Sequence, residues 1–170
     1  MDLRQYIAEV PDFPEPGILY RDITPLLQNP AAFECAIDQF DRECRGKDID
    51  VIAAIDARGF LFAAPLALRL GVPLVPARKG GKLPRPAVKV EYALEYGTSV
   101  VEMHRDAVVQ GQRVMIIDDL LATGGTAAAA VELVEKLGGV VVGLCFLIEL
   151  EELGGRAKID GYPITSLIKF

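Results

Sequence analysis

Three runs in this chain are apolar at position after position: VIAAI (Val51 to Ile55), VMII within Arg113 to Ile117, and VVVGLCFLI (Val140 to Ile148). A strand with one wet face alternates apolar and polar residues, so unbroken runs belong to strands covered on both faces, as in a parallel sheet wrapped by helices. A further short run spans Val72 to Pro76. Helical patterns fall between the runs. Ala31 to Arg45 places Phe33, Ala36, Ile37, Phe40 and Cys44 at helical spacing, after Asn29-Pro30 as an entry signal. Gly59 to Leu70 is mostly apolar and reads as a second helix, in which Pro65 predicts a late start or a kink. The alternation predicts an α/β fold, mainly a parallel sheet flanked by helices, as one domain over residues 1–170. Between Ala77 and Gly97 the periodicity fails, and Val88 to Tyr92 with Ser99 to Met103 read as two arms of a β-ribbon. A flexible active-site flap over about residues 77–103 is the expectation.

No apolar run approaches the roughly 18 to 20 residues of a spanning helix, and the opening MDLRQYIAEV lacks the apolar centre of a signal peptide. A soluble, cytoplasmic protein is therefore expected. Cys35 and Cys44 lie on opposite faces of their helix and Cys145 sits alone in a strand-like run, so all three are expected as reduced core thiols. There is no CxxC, and His104 is the only histidine, so neither a zinc site nor a Ser-His or Cys-His pair has its parts nearby. His104 reads as structural or solvated. The net charge is −6, yet Arg78 to Lys89 carries five basic residues and no acid, which leaves −11 on the rest. Such a chain is a poor general binder of nucleic acid or anionic membrane, whereas the basic segment can address a small polyanion. From charge alone, a loop kept soluble by its lysines is the commoner meaning of such a segment.

Parallel α/β sheets bind ligands at the carboxyl ends of their strands, which directs attention to three loops. They are DARG after Ile55, ARKGGKLP after Pro76, and DDLLATGGT after Ile117. In the last, small residues let backbone N–H groups converge, Thr123 and Thr126 add hydroxyl donors, and the alanine-rich helix that follows turns its positive end to the same spot. A monophosphate fits over Ala122, Thr123, Gly124, Gly125 and Thr126. This is not a Walker loop, because no lysine follows the glycines. Asp118 and Asp119, one sugar-length away, suit the hydrogen bonds of a ribose diol. An isolated glycine pair is usually a plain strand-to-helix turn; two acids and a strand before it are more specific.

VMIIDDLLATGGT resembles the phosphoribosyl pyrophosphate signature of the type I phosphoribosyltransferases. In addition, DFPEPGILYRDITPLL (Asp12 to Leu27), DARGFLFAAPLA (Asp56 to Ala67), RKGGKLP (Arg78 to Pro84) and LEYG (Leu94 to Gly97) are similar to segments of the adenine phosphoribosyltransferases. The matches fall in order and span almost the whole chain. The resemblance implies the type I phosphoribosyltransferase-like fold, with an N-terminal base-binding segment over about residues 1–30. It also implies a reaction of purine salvage: adenine and phosphoribosyl pyrophosphate give AMP and pyrophosphate. Mg²⁺ would ride on the diphosphate and be held mainly by substrate, with no direct protein ligand.

The resemblance carries over residue by residue. It implies that Asp56, Ala57, Arg58, Arg78, Lys79 and Lys82 hold pyrophosphate, with a cis peptide between Asp56 and Ala57. Tyr20, where the family commonly has phenylalanine, would stack on adenine; backbone groups of Leu19 and Arg21 would read the purine edge, and Leu150 would cover the other face. Glu95 matches the residue proposed to handle the purine proton, and it joins Arg58, Asp118 and Asp119 as the catalytic set; its bland meaning is a surface glutamate at the flap end. Tyr96 would close over the pyrophosphate side. Some family members lend a basic residue at the flap base across a dimer, so a homodimer is expected, with Arg78 or Lys79 a candidate to serve the neighbouring subunit. Two other functions stay open: transfer to another purine base, and a regulator that senses phosphoribosyl pyrophosphate without catalysis. DFPEPG and LEYG argue against the first, and the acidic remainder of the chain argues against the second.

Overall fold

A computed structural model of the chain describes residues 1–93 and 97–170. Its first elements are a hairpin of β1 (Ala8–Pro11) and β2 (Leu19–Asp22), then the helices α1 (Thr24–Gln28) and α2 (Pro30–Cys44). β3 (Val51–Ile55), α3 (Gly59–Leu70) and β4 (Leu74–Lys79) form one strand-helix-strand unit. An antiparallel ribbon of β5 (Ala87–Ala93) and β6 (Thr98–His104) comes next. The chain closes with β7 (Arg113–Leu121), α4 (Gly125–Lys136), β8 (Val140–Glu149), short 3-10 turns at Glu151–Leu153 and Gly155–Ile159, and β9 (Ile164–Lys169).

The main sheet has the order β5-β6-β4-β3-β7-β8-β9. Strands β4, β3, β7, β8 and β9 are parallel, and β6 adds antiparallel to β4. The expected mainly parallel sheet is observed, and the apolar runs form its middle. All five residues of β3 are buried, because alternate side chains feed two separate cores. Ile52 and Ala54, with Met115 and Ile117, pack under α2 and α3; Val51, Ala53 and Ile55, with Val114 and Ile116, pack under α4. Between α2 and α3, Phe40 and Phe62 are fully buried and meet edge to face with centroids 5.9 Å apart, a geometry worth about 0.5–1.5 kcal/mol beyond area burial. From β3 the chain crosses through α3 to β4, and from β7 through α4 to β8 on the other side, so the order reverses between β3 and β7. Ligands of open α/β sheets bind at such a point.

Several boundaries differ from the sequence expectation. β7 continues past Ile117 to Leu121, which puts Asp118 and Asp119 on the strand, because β8 supplies partners as far as Leu121 opposite Glu149. β4 likewise runs to Lys79, so Arg78 and Lys79 sit on a strand paired with β6. Pro65 neither delays nor breaks α3: its missing donor leaves the carbonyl of Leu61, a residue 43% exposed, where water can serve it. Cys145 is not isolated. Its Sγ lies 3.8 Å from Met115 Sδ, and it packs in one core with Cys44; all three cysteines are free thiols. Strand β9 was not anticipated, because its residues are only half-buried and carry no unbroken apolar run.

Candidate active site

The carboxyl ends of β3, β4 and β7 surround a cleft of about 520 Å³. Asp56, Ala57 and Arg58 line it from the turn after β3, Lys79 and Lys82 from β4 and beyond, and Asp118 and Asp119 from β7. Ala122, Thr123 and Gly124, with Gly125 and Thr126 from the first turn of α4, complete the lining. Residues from three separate loops, far apart in sequence, thus share one surface. The Asp56–Ala57 peptide is cis, as the resemblance implied.

Gly59 explains how close α3 comes to β7. A Cβ there would lie 2.9 Å from Asp118 Oδ1 and 3.0 Å from the Ile117 carbonyl oxygen, so only glycine lets the helix start against the acidic pair. Asp118 is buried, and its Oδ1 accepts the Asp119 backbone N–H at 2.8 Å. Burial, and then the neighbouring Asp119 charge, push the Asp118 carboxyl well above the usual carboxylate range. Arg58 answers this charge, with Nε donating to Asp119 Oδ2 at 2.5 Å. Burial alone would lower the Arg58 pKa, but the charge and hydrogen bond of Asp119 outweigh it and hold the guanidinium firmly cationic. A second Arg58 nitrogen donates to the Tyr20 hydroxyl.

In the loop after β7, Gly124 has φ 80° and caps α4. That left-handed conformation strains any residue with a Cβ. Gly125 differs: it does not take a left-handed φ, and a Cβ there would come within 3.1 Å of Tyr92 Cδ2. Tyr92, from β5 of the ribbon, is a cleft residue that the sequence reading missed. Its hydroxyl lies 2.9 Å from Thr126 Oγ1. Its place on a ribbon arm was legible, but its reach to the loop depends on how β6 docks on β4.

Arg78 is not among the cleft-lining residues. Its Nε donates to Asp56 Oδ2 of the same chain at 3.1 Å, and its guanidinium lies 6.0 Å from the centre of the Phe60 ring. Leu19, Tyr20, Arg21 and Leu150 also lie outside the lining. Tyr20 connects to it through Arg58, and the Leu150 N–H donates to the Leu121 carbonyl at 3.0 Å at the end of β7. Tyr20 meets Phe13 edge to face at 5.1 Å. The Arg21 side chain pairs with Glu9 and covers the Phe170 ring at 4.0 Å. Glu95 and Tyr96 lie outside the described residues.

A mainly parallel sheet with a glycine-rich loop, an acidic pair and cations gathered at its reversal point is the arrangement expected of a phosphoribosyltransferase, and the phosphoribosyl transferase domain model matches residues 23–168. The chain belongs to the adenine phosphoribosyltransferase family. It is 57% identical over 169 residues to the adenine phosphoribosyltransferase of Caldanaerobacter subterraneus, covering 99% of this chain and 98% of the relative. The crystal structure of adenine phosphoribosyltransferase from Thermoanaerobacter pseudethanolicus superposes with a TM-score of 0.97 at 56% identity, over 99% of this chain and 98% of that one. The Saccharomyces cerevisiae adenine phosphoribosyltransferase, solved in complex with an imino-altritol bisphosphate and adenine, gives a TM-score of 0.93 at 42% identity, over 98% and 96%.

Proposed function

We propose that this chain is a purine salvage enzyme that transfers the 5-phosphoribosyl group of phosphoribosyl pyrophosphate to adenine, giving AMP and pyrophosphate. The observation that carries this reading is that Ala122 to Thr126, Asp118, Asp119, Arg58, Lys79 and Lys82 all line one cleft. A 5′-phosphate, a ribose and a diphosphate need that set of groups: small residues with backbone donors, carboxylates and cations. The bond from the anomeric carbon to the pyrophosphate oxygen breaks, and a bond from that carbon to the purine nitrogen forms. Negative charge grows on the leaving oxygen, and Arg58, Lys79 and Lys82 stabilise it in the cleft. Asp119 orients Arg58 and accepts from the ribose hydroxyls. Glu95 is the candidate to take the purine proton.

Mg²⁺ suits this cleft as an ion carried by the substrate, since it favours phosphate oxygens with one or two carboxylates, and Asp118 and Asp119 are at hand. Bound there, it would neutralise charge on the departing diphosphate. Adenine is assigned to Leu19, Tyr20, Arg21 and Leu150, from the N-terminal segment of about residues 1–30 and the end of β8, of which Tyr20 and Leu150 bond to the cleft residues Arg58 and Leu121. Tyr20 then presents its ring while its hydroxyl stays with Arg58, which links the base site to the pyrophosphate site. A homodimer is supported by exposed apolar side chains: Leu61 and Leu68, seven residues apart and so on one face of α3, are 43% and 86% exposed, and Leu74 on β4 is 38% exposed. Charged substrates of the nucleotide pool suit a cytoplasmic enzyme.

The test is a competition among adenine, hypoxanthine and guanine in the presence of phosphoribosyl pyrophosphate and Mg²⁺. AMP should be the dominant product, by several orders of magnitude if 6-oxo bases leave buried polar groups unpaired. Comparable turnover of hypoxanthine would overturn the adenine assignment, and binding of phosphoribosyl pyrophosphate without any nucleotide product would favour a sensor.

A further inference from the structure

Gly155 lies outside the cleft, yet its backbone is packed directly against the phosphate loop. A Cβ on Gly155 would sit 2.2 Å from the Ala122 carbonyl oxygen and 3.0 Å from the Gly124 nitrogen. In the other direction, a Cβ on Gly124 would sit 2.3 Å from the Gly155 carbonyl oxygen. The two backbones therefore touch with no side chain between them. Gly155 does not take a left-handed φ, so glycine is required there for contact and not for conformation.

The next residue fixes this contact. Arg156 makes a two-pronged ion pair with Glu149, Nε to Oε1 at 2.6 Å and Nη2 to Oε2 at 2.7 Å, and Nη1 donates to the Ile164 carbonyl at 3.2 Å. The Glu149 side chain is 5% exposed, and Glu149 stands opposite Leu121 in the β7–β8 register, one residue before the phosphate loop. A closed circuit results: from the loop through Leu121 to Glu149, across the ion pair to Arg156, and from Gly155 back onto the loop.

We propose that Gly155, held by the Arg156–Glu149 pair, is the positioning element that sets the shape of the 5′-phosphate loop. This inference rests on the assignment of that loop under the proposed function. Backbone N–H groups bind a phosphate only when they converge on it, and a binding constellation tolerates displacement of only about 0.5 Å. An ordinary carbon–oxygen contact needs roughly 3.3 Å, so a methyl group at Gly155 forces the two backbones about 1 Å apart. A misplacement of that size costs on the order of 100-fold.

The test compares Gly155→Ala, Arg156→Met, Arg156→Lys and Thr126→Val, by calorimetric titration with AMP and separately with pyrophosphate and Mg²⁺, and with circular dichroism and thermal melting as folding checks. Gly155→Ala should weaken AMP binding and raise the KM for phosphoribosyl pyrophosphate by about 100-fold while leaving pyrophosphate affinity unchanged. Arg156→Met should show the same selective loss, and Arg156→Lys should recover part of it, because an ammonium keeps the charge but not the fork. If Gly155→Ala does not fold, the Met and Lys pair at Arg156 decides by the same readout. AMP affinity equal to the parent's in folded Gly155→Ala, or in Arg156→Met when Gly155→Ala does not fold, overturns the proposal; so does a fall in AMP and pyrophosphate affinity to the same degree, which marks general loosening. Thr126→Val separates the two levels. If it weakens AMP binding while Gly155→Ala does not, the positioning role alone fails. If neither variant affects AMP, the loop assignment fails and takes the inference with it.

Discussion

Replacing Arg58 by methionine keeps the stem and removes the charge and every donor. In the folded chain this deletes the 2.5 Å hydrogen bond to Asp119 and the contact with the Tyr20 hydroxyl. A hydrogen bond to a charged group is worth about 1.5–3 kcal/mol, but the Arg58 side chain is 42% exposed and solvent screens the pair. The Asp119 side chain, 8% exposed, keeps some penalty for losing its partner. The net loss of folding free energy is set at about 1–1.5 kcal/mol, which for a chain of this size lowers the melting temperature by roughly 2–6 °C. The catalytic loss is larger. A preorganised group facing developing charge contributes about 100- to 1,000-fold in kcat, or about 2.7–4 kcal/mol. Steady-state rates of AMP formation at saturating adenine, with phosphoribosyl pyrophosphate varied, would show kcat falling more than KM rises, because the leaving-group charge is fully developed only in the transition state. Thermal unfolding of the same preparation gives the stability term. A variant that melts a few degrees lower yet turns over within about threefold of the parent would refute the reasoning, since Arg58 would then serve only as the structural partner of Asp119.

Gly125→Val should abolish AMP binding in a calorimetric titration while circular dichroism stays native, since the new side chain meets the Tyr92 ring, which can shift, and adds bulk to the wall proposed to hold the phosphate. Stability should fall in acid through Glu149: its hydrogen bond from Arg156 holds the carboxyl below the usual range, so its contribution is complete above about pH 4.3 and is lost as pH falls through the depressed folded value. Glu149→Gln should flatten that acid limb in chemical unfolding curves, and an unchanged limb would remove Glu149 from the account. Asp118 has the opposite sign, because burial and the Asp119 charge raise its folded pKa, so stability declines as pH rises from about 3.9 toward that value. Asp118→Asn, whose Oδ1 can still accept the Asp119 N–H, should melt higher than the parent at pH 8; a lower melting temperature would contradict the raised pKa. Chelation of Mg²⁺ should stop turnover without changing the melting temperature of the ligand-free protein, and a fall in that temperature would indicate an ion held by the protein itself.

Much of the architecture was legible because burial on both faces leaves a compositional mark. Val51–Ile55, Val114–Ile117 and Val140–Ile148 carry no polar residue, and only a covered parallel strand suits such a run. The loop after β7 was legible for a local reason: glycines and threonines between a buried strand and a helix define a backbone geometry that needs no distant partner. The pairing of Arg58 with Asp119 was not legible, since 61 residues separate them and only the adjacency of β3 and β7 brings them together. The reach of Tyr92 to Thr126, the engagement of Arg78 by Asp56, and the packing of Gly155 on Gly124 have the same character. Strand ends belong to this group too, because a strand continues for as long as its neighbour offers hydrogen-bonding groups, and β8 carried β7 through both acids to Leu121. Local pattern thus carried the buried parallel strands, the glycine-threonine loop and the family resemblance. Tertiary structure alone decided which charges meet and what supports the loop, because those contacts are set by strand order and register across long stretches of chain.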